Sequence, residues 1–430
     1  MNPEFERNLW LEMTPQRLFS APLVLGLMLF LTLSLSDFVL SVEIAYLALI
    51  WFVFFAGIWG TKQATGAVFE EVAGRTWDWQ RMSGLNPWAM TWGKLFGSTA
   101  FAWYGGLICL GMAAVALQVG GADRSDWQWF VLALLGALFA QGFGFLLSLL
   151  YVRSRSLENS RVRGSLYLLV LLAVLMSMGN LAEMDDQRIS WYGWQLEMLD
   201  FALLSTLCFW LWSLIGAYRV MRRELSYSAR PWIWLGFLGF FAAYVGGLTS
   251  SSPTHWLASA FVCWLLATYV AVFVEPKDPV QLRGLLHGLR DGQLSRALTR
   301  VPAWLSGLVL AALGLQFVPG IGLFFIAEFA YPLGTTALLL LLFLLRDLAI
   351  FLILGLSAES RRSESTAMIY LLVLYGIVPS LLSALGLGQL NVLFLPRPDQ
   401  PFGLALLGAM LGLGLAGVLL IRQWRRLLRL

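Results

Sequence analysis

The sequence predicts an all-α integral membrane protein of about twelve transmembrane helices, built as two six-helix halves with amphipathic interfacial helices on the cytoplasmic side. Three observations predict it. Of the 430 residues, 59% are hydrophobic and only 13% are charged, whereas a soluble domain carries about 25% charged residues. The apolar residues gather into runs close to the roughly 20 residues that a helix needs to cross a bilayer. The basic residues fall in alternate connections, as retention on the cytoplasmic side requires. The 20 tryptophans fit the same class, because Trp concentrates at membrane–water interfaces.

The runs lie near 18–39, 42–60, 95–118, 127–152, 165–182, 199–220, 231–249, 255–274, 304–327, 331–356, 367–388 and 402–421. With both termini cytoplasmic, nearly all of the 29 basic residues fall inside; only Arg124, Arg188 and Arg397 lie in outer loops, and Arg346 sits within a run. A miscounted run would invert every later loop and scramble this asymmetry. The net charge of +4 reflects these retained residues and implies no nucleic-acid partner. The N-terminal "MNPEFERNLWLEMTPQR" mixes acids and bases and lacks a short apolar core, so no signal peptide is expected. Cys109, Cys208 and Cys263 sit in apolar runs and read as small buried hydrophobes. With His255 and His287 the only histidines, neither a metal centre nor a catalytic set is expected.

The chain reads as duplicated, 1–225 and 226–430. "YLLVL" occurs at Tyr167–Leu171 and Tyr370–Leu374, and "VFEE" at Val68–Glu71 faces "VFVE" at Val272–Glu275 at nearly the same separation. In each half the largest cytoplasmic piece, 61–94 or 275–300, falls between the second and third runs. In the first, Glu71 and Arg75 have i,i+4 spacing with the acid leading. Val68, Val72, Trp79 and Met82 fall on roughly one helical face, and Pro87 then breaks the helix by holding Asn86 extended. In the second, Leu282, Leu285, Leu286 and Leu289 form an apolar stripe opposite Arg283, His287 and Arg290, the pattern of a helix lying on a membrane surface. The N-terminus offers a third such helix, capped by Asn2-Pro3 with the stripe Phe5, Leu9 and Met13.

An acidic pair followed by "RTWDWQRMSGLNPWAMTWGKLFG" resembles the elbow of ATP-binding-cassette (ABC) exporter permeases of the type-2 class. The positions that carry the resemblance are Glu70 or Glu71, Arg75-Thr76-Trp77, Leu85-Asn86-Pro87 and Gly93-Lys94, which opens the third span. It covers the first half best; the second elbow keeps Glu275 but has no Arg-Thr and no Gly-Lys. The resemblance implies a permease subunit of the bacterial inner membrane that couples through this elbow to a separate ATP-binding subunit, in two copies. Trp77 and Trp79 would anchor that partner, Arg75 and Arg81 would meet its acids, and Pro87 would set the angle of the third span. Glu275, Arg283, His287 and Arg290 would form a second, weaker coupling segment. ATP and magnesium belong to the partner: a phosphate loop needs G-x-x-x-x-G-K-[ST], and here Leu95 follows Gly93-Lys94 while Trp88 stands five positions before Gly93.

A single chain would then supply both permease halves; a homodimer of twelve-span chains is the alternative. A secondary transporter of the major-facilitator kind shares the length, span number and termini, but the short basic loop and long central loop of that class are missing. A membrane-embedded enzyme would need a nucleophile, base or metal near the interface; Glu183, Asp185 and Asp186 are the nearest set, and they read as a wet loop beside interfacial aromatics. Arg346 and Asp347 stand inside an apolar run, where charges are expensive and seldom unpaired. Adjacent helical residues point about 100° apart, so they are expected not simply to neutralise each other. Either they line a transport path, or they tether helices, with Gln141 at the matching place in the first half.

This topology predicts that single cysteines replacing Asp126, Asp186 or Asp399 react with an impermeant reagent in intact cells, whereas those replacing Arg155, Arg296 or Arg362 react only after lysis. Labelling of Arg155→Cys in intact cells would overturn it.

Overall fold

The computed structural model describes residues 2–34, 38–154, 187–227, 231–249, 253–315, 333–356, 363–395 and 402–429. Among these, ten helices are long and apolar enough to cross a membrane, so the chain is an almost wholly helical, membrane-embedded protein. The expected run 165–182, the first "YLLVL", Arg155, Arg161, Arg163, Glu183, Asp185, Asp186, Arg361, Arg362 and Asp399 lie outside the described residues. Of the expected run 304–327, the described part is a shorter apolar helix, Ala303–Leu315.

The chain divides into two compact units, Met1–Ile189 with Trp194–Ala229, and Ser190–Gly193 with Arg230–Leu430. The first begins with α1 (Pro3–Glu12), whose N-cap Asn2 accepts the Glu4 N–H, with Pro3 in the first turn, where a missing N–H is harmless. Then come α2 (Pro15–Ser34), α3 (Val42–Phe52), a π-helical stretch (Val53–Trp59) and α4 (Gly60–Ala73). The last three run on as one 32-residue apolar helix, Val42–Ala73. A short α5 (Trp77–Arg81) and α6 (Pro87–Ser98) form the elbow, followed by α7 (Ala100–Val119), α8 (Arg124–Ser154) and α9 (Met198–Glu224). The first core packs Leu25 and Phe52 against Cys109, Ala113 and Ala137. Small residues let helices approach where lipid offers no hydrophobic drive between them.

The second unit comprises α10 (Trp232–Thr249), α11 (Pro253–Val274), α12 (Pro279–Arg290), α13 (Leu294–Thr299), α14 (Ala303–Leu315), α15 (Leu333–Gly355), α16 (Ser363–Leu372), a π-helical stretch (Val373–Ile377), α17 (Val378–Ala384), a 3-10 turn (Gly388–Leu393) and α18 (Phe402–Arg429). Its core centres on Phe261, Leu265, Ala311, Leu341 and Leu344. The one departure from an all-helical chain among the described residues is a two-stranded hairpin, β1 (Arg188–Trp191) and β2 (Trp194–Glu197). Tyr192 and Gly193, both at positive φ, make the tight turn that such hairpins favour. The hairpin tip belongs to the second unit, where the Trp191 indole donates to Tyr244 O at 3.1 Å and the Tyr192 hydroxyl to Ala243 O at 2.8 Å.

The sequence places Lys94 at the start of the third span. In the structure α6 ends at Ser98, and the span begins afresh at Ala100 after a break at Thr99 (φ −95°, ψ 2°). α6 is thus a separate helix, and α1 lies across it. Gly93 and Gly97 make that crossing possible. A Cβ on Gly93 would fall 2.9 Å from Glu4 Cβ, and one on Gly97 2.6 Å from Asn8 Cβ. The Asn2 amide fixes the crossing by donating to Ala89 O at 2.6 Å.

Gly97→Val is therefore expected to force α1 off α6 and to destabilise the detergent-solubilised protein by about 1–3 kcal/mol, the usual size of an overpacking defect. Gly111→Val, where added atoms meet open space, serves as the control. Equal melting temperatures for the two variants would remove the crossing from the account.

Candidate functional site

Where α1, α4, α5 and α6 meet, Lys94 is buried at 1% exposure. An ammonium taken out of water must be paired and hydrogen-bonded. Its Nζ donates to Glu4 Oε1 at 2.8 Å, to Glu71 Oε2 and to Gln80 Oε1. Arg7 donates to both Glu4, at 2.9 Å, and Glu71. Two carboxylates and two cations thus close a neutral network. The Trp77 ring lies below it, 5.3 Å from Nζ, close enough for a cation–π contact. At the last residue of α1, burial raises the carboxyl of Glu12 above its ordinary value, against the lowering effect of Arg17.

This arrangement corrects several expectations. Glu71 does not pair with Arg75 at i,i+4, because the helix ends at Ala73 and Arg75 takes a left-handed φ of 58° in the turn. Arg75 and Thr76 are exposed, and Thr76 ties the turn by donating its N–H to Glu71 O at 2.9 Å. Trp77, expected as a partner's anchor, is 5% exposed and packs with Val68, Met90, Phe145 and Met221. Val68, Val72, Trp79 and Met82 share no face: Val68 is buried, whereas Trp79 and Met82 are 75% and 70% exposed. Arg81 is exposed, yet donates Nε–H to Glu224 O at 3.0 Å and lies 3.6 Å from Asp78. Glu70 is exposed near the end of α4. Asn86 is extended, its side chain caps α6, and Pro87 occupies the first turn.

The second elbow is built differently. Glu275 is buried and accepts the N–H of Ala303, the first residue of α14. A carboxylate there satisfies an orphan donor and complements the helix dipole. On α12 the buried face is Gly284, Leu285 and Gly288, so the leucine stripe is split: Leu286 and Leu289 are each 53% exposed. Gly288 lets α13 approach, since a Cβ there would stand 3.2 Å from Ala297 Cβ. His287 and Arg290 are exposed and Arg283 half-buried.

Within the apolar helices, Arg346 and Asp347 do pair, contrary to expectation. Arg346 Nε donates to Asp347 Oδ1 at 3.0 Å, and Asp347 Oδ2 accepts the hydroxyls of Tyr269 at 2.7 Å and Tyr375 at 2.5 Å. The long Arg side chain bends back past the 100° offset. Gln141 finds its hydrogen bonds within the first unit. Its amide donates to Ala56 O at 2.7 Å, in the π-helical stretch, and its oxygen accepts from the Trp103 indole at 2.9 Å. Gly60 leaves the space for it, as a Cβ there would lie 2.3 Å from Gln141 Nε2.

The residues missed from sequence are Glu4, Arg7, Gln80, Tyr269 and Tyr375. A lysine in a Trp- and Gly-rich helix signals that some acid is buried with it, but not which one. Among the described residues no group of three or more His, Cys, Asp or Glu could hold a metal. No family model matches the chain, and neither a curated protein nor a solved structure does so.

Lys94→Met is expected to cost about 3–5 kcal/mol, because it leaves the buried Glu4 and the partly buried Glu71 without the ammonium. Adding Glu71→Gln should recover a large part, since removing both partners is far cheaper than removing one. Thermal unfolding of the purified variants checks this; a double variant no more stable than Lys94→Met would refute the network's role.

Proposed function

We propose that the chain is the permease subunit of an ABC transporter, of the type-2 exporter class, which couples through its first elbow to a separate ATP-binding subunit. The observation that carries this reading is the buried Lys94 network. It ties the N-terminal helix, the end of α4, the elbow helix α5 and α6 into one body, while Arg75, Trp79, Met82 and Trp88 stand exposed around it. Such a body can receive a push on α5 and pass it through α6 to α7 without absorbing it in side-chain rearrangement. Surface anchoring alone needs no buried ion network. Exposed aromatic residues and arginine are also the types that dominate protein contacts.

On this reading the elbow faces the cytoplasm of a bacterial inner membrane, both termini lie there, and ATP and magnesium sit on the partner. The single chain supplies both permease halves to two ATPase copies. The exposed face of α12, with His287 and Arg290, forms the second, weaker contact, with the leucines at the lipid surface. The buried Asp347, held by Arg346 and two tyrosines, is what favours an ion-coupled secondary transporter as the second reading, since charges inside apolar helices often mark ion or substrate paths.

The test uses the exposed anchors, because Trp77→Ala would damage the core. Trp79→Ala with Met82→Ala is expected to leave the chain folded and inserted. It should weaken co-purification of a subunit bearing the phosphate loop by roughly thirtyfold or more, about 2 kcal/mol for a truncated anchor. Mass measurement of the complex should give one permease with two ATPases. Transport that persists without ATP but collapses with the proton gradient would favour the carrier instead.

A further inference from the structure

The second unit holds a cavity of about 480 Å3, within the roughly 300–1,000 Å3 usual for sites of small ligands. It lies among α15, α16 with its π-helical stretch, α18 and the end of the 3-10 turn. Its wall is mostly aliphatic, with Ile350, Ile353, Leu374, Leu411 and Leu415 beside Tyr370 and Phe394, and Arg346 is the one charged residue of its lining. Gly412 leaves room for that arginine, as a Cβ there would come 2.9 Å from Arg346 Cδ.

Arg346 has more donors than acceptors. A guanidinium carries five N–H groups. Nε is satisfied by Asp347, but among the described residues Nη1 has only the Phe394 carbonyl at 3.5 Å, beyond good hydrogen-bond length. Nη2 is buried and, although 3.0 Å from Asp347 Oδ1, lies off-line and has no hydrogen-bond partner. Phe343 and Tyr375 lie against the guanidinium at 4.7 and 5.1 Å. Asp347 is already satisfied by Arg346, Tyr269 and Tyr375.

Counting charge decides which ligand fits. Asp347 neutralises Arg346, so an anionic head would bring an uncompensated charge into apolar surroundings. What the arginine lacks is an acceptor, and the distant Phe394 carbonyl shows the kind of group it faces. We propose that this cavity binds an uncharged aliphatic ester or amide, its tail along the isoleucines and leucines and its carbonyl oxygen accepting from Arg346. The site uses residues of the second unit alone and stands apart from the exporter reading.

Native mass spectrometry of the full chain, released from micelles doped with one probe at a time, tests it. The probes are methyl oleate, octadecene (the tail without an acceptor) and oleate at alkaline pH (the tail with a charge). Methyl oleate should half-saturate the protein at about a tenfold lower mole fraction than either of the others, the effect of one hydrogen bond to a charged donor. Arg346→Met with Asp347→Asn, which keeps an acceptor for the two tyrosines, should erase that advantage while octadecene still binds. Leu415→Trp, which fills the cavity and leaves the ion pair untouched, should abolish binding of all three in a protein that elutes normally on gel filtration. Oleate binding tightest, a methyl oleate advantage that survives the double variant, or binding unaffected by Leu415→Trp would each overturn the proposal. Should the double variant not fold, the ranking of the probes and Leu415→Trp decide.

Discussion

An ammonium group buried at 1% exposure sets the shape of the elbow. Left unpaired, Lys94 would not remain charged and buried. Its partners must therefore come to it from three directions, Glu4 on α1, Glu71 on α4 and Gln80 on α5. Each demand has a visible consequence. α1 can reach Lys94 only by crossing α6 closely, hence Gly93 and Gly97 at the crossing. Glu71 must turn inward, so the chain leaves α4 at Ala73 and Arg75 is thrown outward in a left-handed turn. Trp77 closes the floor beneath the ammonium, and its burial ties the network to the core made with α8 and α9.

The second unit meets the same constraint with other means. Arg346 and Asp347, neighbours in sequence, neutralise each other, and two tyrosines complete the carboxylate's hydrogen bonds. Glu275, the counterpart of Glu71 in the repeated "VFVE" pattern, finds a backbone N–H at the start of α14. A carboxylate satisfied by a helix terminus needs no buried lysine, which accounts for an elbow without a Gly-Lys pair. The two elbows thus reach satisfied carboxylates by unlike routes, and they present unlike surfaces. The first shows Trp79 and Met82, and the second shows Leu286 and Leu289 beside basic residues. In the proposed exporter, that contrast makes the first the main contact for an ATPase.

Much of the fold was legible because bilayer crossing imposes a length and an apolar composition that any sequence displays. The apolar runs around 42–60, 127–152, 199–220, 231–249, 255–274 and 402–421 lie on long apolar helices, and the cap at Asn2-Pro3 and the extended Asn86 before Pro87 are local features that short-range sterics dictate. Helix ends inside apolar stretches were not legible. Little in "WGKLFGSTAFAW" signals that α6 stops at Ser98 and a new helix starts at Ala100, since the break falls at Thr99, one residue past the Gly97-Ser98 pair that a kink would favour. The site was half legible. Lys94, Glu71, Arg346 and Asp347 stand out as charges among hydrocarbon, but spacing suggested Arg75 for Glu71 and kept Arg346 from pairing with Asp347.

The sequence by itself determined the membrane class, the location of the elbows and which charges would need partners, because hydrophobicity and capping act over short stretches of chain. Only the tertiary structure decided who those partners are. Glu4 lies 90 residues from Lys94 and Tyr269 lies 78 from Asp347, separations over which no periodicity carries information. It also decided that Trp77 is core and Trp79 surface: two residues two positions apart on a helix point to opposite sides, and only the folded chain decides which side is covered.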